Sequence, residues 1–234
     1  MSDPWPCYLD PMLDRISAVW PDRGVILLLR HSVREPIRHM ADAMTAPLTD
    51  EGRALARELG RRLGGARPGG ARPARFYHSP VPRCIDTARR MVEGIAERGG
   101  RSETLGTREY LAAPYMRDPA RAMGLFVELG GVGFARSWCR GELEEAVIQD
   151  HRDAGRALLN DLLDEHQGSE PGTLDIHVTH DLTVAALLSL VYPVGDPDFP
   201  WPDYLDGAVL AAEDDALTLC YRGASRVLTE REDV

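Results

Sequence analysis

Short apolar runs alternate with amphipathic stretches along this chain, and each run stops at a polar or charged residue. Val25 to Leu29 is unbroken and ends in Arg30-His31. Such a run reads as a strand buried on both faces. Ala74–His78 and Thr173–Thr179 read as two more strands, the latter ending in His180-Asp181. Between and around them the spacing predicts helices. Met12, Leu13, Ile16, Val19 and Trp20 fall on one face of Asp10–Trp20, with Asp10 as N-cap and Pro11 in the first turn. Thr49 opens a helix to about Leu63, closed by Gly64-Gly65, with Asp50 and Glu51 in its first turn. Further helices are predicted from Pro82 to Arg98, Glu142 to Gln167 and Leu182 to Val191.

The rest reads as connection. Arg34–Pro47, Ala66–Pro73 and the aromatic, proline-rich Pro193–Asp206 are predicted loops, and Pro21–Gly24 is a turn. Arg101–Leu111 is partly extended. Gly207–Ala212 and Ala216–Arg222 form a hairpin across Glu213-Asp214-Asp215, the last, polar residues fray, and Met1 to Pro6 is an irregular lead-in. Strands separated by helical sequence predict an α/β fold with a largely parallel sheet.

Composition narrows the chemistry. The net charge of −10 argues against nucleic acid and anionic membrane surfaces as partners. All 27 basic residues are arginine, so no lysine is available as a Schiff-base or general-base group, and every fixed cation is a planar fork suited to oxyanions. Cys7, Cys84, Cys139 and Cys220 form no C-x-x-C pair, which argues against a zinc site or redox motif. The first 20 residues have neither a basic region nor a continuous apolar core of the kind a signal peptide carries, and no run is long enough to span a bilayer. A cytoplasmic protein is the expectation.

A parallel sheet gathers the ends of these strands on one edge, where open α/β sheets place ligands. Arg30, His31 and Arg34 follow one strand, Arg83 opens the helix after the next, and His180-Asp181 follow the third. Three guanidiniums, two imidazoles and a carboxylate converging on one point suit a tetrahedral dianion. Flanking guanidiniums disfavour imidazolium, which leaves His31 neutral and nucleophilic. The arginines and His180 would hold the equatorial phosphoryl oxygens, and Asp181 is the nearest acid for a leaving alkoxide.

Those residues carry a resemblance. Arg30-His31-Ser32-Val33-Arg34-Glu35-Pro36 resembles the R-H-G-x-R-x-P signature of the histidine phosphatase superfamily. Its second Arg and Pro, and the His180-Asp181 pair, look like the acid phosphatase and phytase branch. Leu48-Thr49-Asp50-Glu51-Gly52 resembles the family's L-T-x-x-G helix start, and Ser79 to Ala88 its S-P-x-x-R-x-x-x-T-A segment. The resemblance implies a phosphoglycerate mutase-like fold: a three-layer α/β/α sandwich with a mostly parallel mixed sheet. It implies one domain over residues 1–234, with a small helical cap at about 104–141. It also implies hydrolysis of a small phosphorylated metabolite with neither metal nor cofactor. Residue by residue, His31 is the nucleophile, Arg30, Arg34, Arg83 and His180 bind phosphate, and Asp181 donates the proton. Ser32 stands where the signature has glycine; it is small and has a hydroxyl to offer the phosphate.

Alternatives stand beside this reading. Asp181 also suits a helix cap, and Glu109 is a rival acid, since the mutase branch takes its acid from a comparable region. His177 and His180, three apart on a strand, point to opposite faces and so do not chelate one ion. His78, Cys84, Trp201 and Tyr204 read as packed residues. Two other functions fit: a phosphomutase or phosphohistidine (phosphoprotein) phosphatase of the sister branch, and a non-catalytic module that binds phospho-ligands.

Overall fold

The computed structural model describes residues 5–20, 24–37, 42–66, 72–213 and 216–228. The expected turn at Pro21–Asp22–Arg23, most of the Ala66–Pro73 loop, Asp214-Asp215 in the hairpin and both chain ends lie outside them.

Seven strands among the described residues form one sheet in the order β3-β2-β4-β1-β5-β6-β7. They are β1 (Val25–Arg30), β2 (Ala74–His78), β3 (Ser102–Thr107), β4 (Leu174–Thr179), β5 (Gly207–Glu213), β6 (Ala216–Tyr221) and β7 (Ala224–Leu228). The first four are mutually parallel, with β4 inserted between β1 and β2. The hairpins β5–β6 and β6–β7 extend the sheet antiparallel from β1.

Alternation along β1 explains the layers. Val25, Leu27 and Leu29 face one core, shared with α1 (Asp10–Val19), α2 (Asp50–Ala66) and α3 (Pro82–Glu97). Ile26 and Leu28 face the other, packed by α6 (His151–His166) and α7 (Asp181–Leu188). Each buried Val, Leu or Ile contributes about 1.5–3 kcal/mol, so β1 is fixed from both sides. The result is the expected three-layer α/β/α fold with a mixed sheet. Two shorter helices, α4 (Pro119–Leu129) and α5 (Gly131–Cys139), stand beside it around Tyr115, Phe134 and Trp138.

Three expectations are corrected. Gly64-Gly65 does not end α2, which runs on to Ala66. Gly64, with Gly60 and Gly94, serves contact between helices instead: a Cβ on Gly64 would meet the Ile95 backbone at 3.1 Å, one on Gly60 the Met91 carbonyl at 2.1 Å, and one on Gly94 the Arg57 carbonyl at 2.0 Å. The helix expected from Glu142 begins only at His151. Val147 and Ile148, which look helical by spacing, are buried beside Tyr115 and Trp138 in irregular chain. Asp150 then caps α6 by accepting from the amides of Arg152 and Asp153. Finally, Ala224–Leu228 is a strand, not a frayed end, reached through a two-residue turn with positive φ at Arg222 and Gly223.

Candidate active site

The carboxyl ends of β1, β2 and β4 meet at one edge, as the strand pattern requires. His31 follows β1, and its amide donates to the Thr179 carbonyl at the end of β4. His180 follows β4 directly. Arg83 sits in the first turn of α3, just past β2, with Pro82 at the start of the helix, where proline's fixed φ is favourable.

Arg83 joins the two histidines. It is 8% exposed; its Nε donates to His31 Nε2 at 2.9 Å, its Nη2 to His180 Nδ1 at 3.2 Å and its Nη1 to the Ala43 carbonyl at 2.6 Å. Guanidinium nitrogens only donate, so both imidazole atoms accept. His31 Nδ1 lies 2.8 Å from the Ser32 carbonyl, which only accepts, so the His31 proton is on Nδ1 and the lone pair on Nε2. His180 has the opposite tautomer, with Nε2 facing the Ser79 hydroxyl at 3.2 Å. The two rings stand edge to face, 5.5 Å apart.

Both imidazoles are held neutral. Burial, then His180 and Arg83, put the His31 pKa well below its ordinary value. Burial and the Arg83 charge bring His180 down to about 3. A neutral ring with a lone pair is the form that attacks phosphorus.

Arg30 forms another wall. Its Nη1 donates to the Pro202 carbonyl at 2.8 Å, and its Nη2 lies 3.1 Å from Asp181 Oδ2. Asp181 Oδ1 also accepts from the Leu182 amide, so the carboxylate serves the helix start as well as Arg30. Arg34 is half-buried and donates to the Glu35 carbonyl. It contributes charge rather than contact: its guanidinium disfavours protonation of both Arg83 and His180.

Ser32 does not face the cup. It is fully buried; its hydroxyl donates to the Gly52 carbonyl at 2.7 Å and its amide donates to Thr87 Oγ1 at 3.0 Å. Its single hydroxyl proton is thus committed to α2, which corrects the expectation of a phosphate ligand. The L-T-x-x-G segment has a related reason: Thr49 Oγ1 accepts from the Gly52 amide, and a Cβ on Gly52 would sit 2.0 Å from the Val33 carbonyl.

The side chains of the remaining candidates make no hydrogen bond to His31 or Arg83. Glu109 is exposed, on a 3-10 turn (Glu109–Leu111) held by Tyr110 Oη against His177 Nδ1 and by Thr179 Oγ1 donating to the Leu111 carbonyl. His177 is fully buried and stacked on Tyr77 at 4.5 Å, away from His180. His78 is buried against the Ser79 carbonyl. Cys84 is fully buried, and burial raises its thiol to about 12, so it is no thiolate nucleophile. Among the described residues no group of three or more His, Cys, Asp or Glu is placed to hold a metal ion.

Tyr204, which the sequence marks only as a packed loop residue, stands against the site. Its ring lies under Arg30, 4.2 Å from the guanidinium carbon, and its centroid is 5.8 Å from that of His31. The one signal was its place in an aromatic loop just before a strand antiparallel to β1.

Residues 26–110 match the model of the histidine phosphatase superfamily (branch 1). The match spans the strand and helix units that carry His31 and Arg83. The superfamily that the motifs resemble is the one that matches, and the matching model is that of its branch 1. His180-Asp181 lie beyond the matched residues. The fold is shared with solved structures at low identity. Bacillus stearothermophilus YhfR is 18% identical, with a TM-score of 0.55, over 86% of this chain and 96% of that one. A variant phosphoserine phosphatase from Entamoeba histolytica, solved with phosphoserine, is 18% identical, with a TM-score of 0.53, over 84% and 94%. A mycobacterial glucosyl-3-phosphoglycerate phosphatase is 19% identical, with a TM-score of 0.53, over 81% and 90%. No curated protein sequence matches significantly. What these neighbours share with the chain is the three-layer α/β fold. Among the described residues no helix is long and apolar enough to cross a membrane.

Proposed function

We propose that the chain hydrolyses a small phosphomonoester through a phosphohistidine on His31, without a metal ion. The observation that carries this reading is the neutral His31 ring, with Nδ1 fixed by the Ser32 carbonyl and the Nε2 lone pair turned to Arg83. In the resting cup Arg83 is bonded to His31, His180 and Ala43, and Arg30 to Pro202 and Asp181, with the buried Arg30 Nε left without a partner. A phosphoryl group exchanges these partners for its own oxygens. Arg83 then leaves Nε2, which frees the lone pair at the moment the electrophile arrives. Guanidinium forks hold the equatorial oxygens while charge develops on them. Nε2 attacks phosphorus, the ester oxygen leaves with a proton from Asp181, and water then displaces phosphate from His31. Arg34 adds long-range positive charge, and His180 follows Arg83 to the phosphoryl group.

Helices α4 and α5 are proposed as the cap that limits substrate size, within a single domain in the cytoplasm. Two of the structural neighbours, a phosphoserine phosphatase solved with phosphoserine and a glucosyl-3-phosphoglycerate phosphatase, support a small phosphorylated metabolite as substrate. Release of phosphate from a chromogenic phosphoester by the wild type, and none by His31→Ala, is the expected result. Equal rates from both would overturn the reading, and binding of phosphate without turnover by the wild type would favour a binding module.

A further inference from the structure

We propose that Tyr204 is a positioning residue for phosphate binding, its ring serving as the platform that holds the Arg30 guanidinium in the cup. This rests on the reading of the cup as a phosphate site. Arg30 has one face over the Tyr204 ring at 4.2 Å, the arrangement in which a ring's negative face attracts a cation. Its edges are taken by the Pro202 carbonyl and Asp181, so ring and edges together fix the plane of the fork.

The segment carrying Tyr204 is tied to the strand that carries the nucleophile. Within Pro202–Asp206, the Pro202 carbonyl accepts from Arg30 Nη1 and the Asp206 carbonyl accepts from the Arg30 amide. The Leu205 amide donates to the His31 carbonyl. Leu205 adopts φ of 60°, a left-handed conformation that a leucine enters only when its surroundings impose it. The surroundings are firm on both sides. Tyr8 Oη donates to the Tyr204 carbonyl at 2.8 Å. The buried Asp206 carboxylate accepts from Tyr221 Oη at 2.9 Å and from Arg222 Nε at 2.8 Å. The chain thus holds a strained turn in place where it touches Arg30 and His31, and sets an aromatic face at its tip.

A ring that merely packs is replaceable by any apolar side chain of similar size, whereas a platform for a cation needs its π face. Inorganic phosphate binding by calorimetry, with steady-state kinetics on a chromogenic phosphoester, separates the two. Tyr204→Leu is expected to weaken phosphate binding about fivefold to tenfold and to raise KM in step, with a smaller change in kcat. Tyr204→Phe, which keeps the face and loses only the hydroxyl, is expected to restore wild-type binding. Wild-type affinity in Tyr204→Leu, or equal losses in the Leu and Phe variants, would overturn the assignment while leaving the cup intact. A wild-type protein that binds no phosphate would overturn both.

Discussion

Arg83 Nε lies 2.9 Å from His31 Nε2, so the atom proposed to attack phosphorus is hydrogen-bonded to a group proposed to bind it. The same guanidinium reaches His180 and the Ala43 carbonyl, and only a planar fork with separate N–H vectors meets all three. Arg83→Lys keeps the charge and loses this geometry. It is expected to lower kcat/KM for a phosphoester by about 10²–10³, the usual cost of removing one oriented donor from a charge-stabilising site. Steady-state kinetics beside the wild type checks this, and a loss under threefold would contradict the bridging role.

Asp181 and Glu109 are separated by leaving-group dependence. An acid matters when the departing alkoxide is a strong base and hardly matters for a nitrophenolate. Asp181→Asn is expected to slow hydrolysis of an alkyl phosphate by about 10²–10⁴ and of a nitrophenyl phosphate far less. Uniform losses would reassign Asp181 to holding Arg30, to which it is already bonded.

The Ser32 hydroxyl supports the start of α2, not the ligand. Ser32→Ala leaves the Gly52 carbonyl without this donor, at a cost of about 1 kcal/mol, or roughly 2–4 °C in Tm for a chain of this size. KM for phosphoester is expected to stay within twofold. A large rise in KM with unchanged Tm would return Ser32 to the phosphate site.

His177 makes stability depend on pH. Burial lowers its pKa from 6.5 to about 3, so the folded chain refuses a proton that the unfolded chain accepts. Above pH 6.5 neither state is protonated and nothing is lost. As pH falls from 6.5 toward 3, this group alone removes up to about 1.4 kcal/mol per pH unit. Urea unfolding at pH 7.5 and 5.5 measures the difference, and His177→Gln is expected to reduce it, leaving the share that the buried His31 and His180 add. An unchanged slope in that variant would assign the pH dependence to other groups.

Much of this was legible in the sequence because the informative signals are local. An apolar run that ends in Arg30-His31 announces a buried strand and its rim, and the same grammar marks β2 with Arg83 and β4 with His180. What stayed hidden depends on contacts between distant segments. Gly64-Gly65 look like a helix stop until α3 is seen pressed against Gly64. Val147 and Ile148 have helical spacing but answer to Tyr115 and Trp138. Strand β7 has mostly exposed residues, so no hydrophobic pattern marks it. Ser32 was read toward the ligand because its true partner, Gly52, lies in the next helix. Tyr204 meets Arg30 only through the strand pairing of β1 with β5.

The central claim is that the His31 ring becomes phosphorylated during turnover. Acid quench of the enzyme with labelled phosphoester, followed by peptide mapping, tests it most directly. The account predicts acid-labile, alkali-stable label on the peptide containing His31, formed and discharged at rates compatible with kcat and missing from His31→Ala. A working enzyme that carries no label, or that carries it on another residue, would contradict the account.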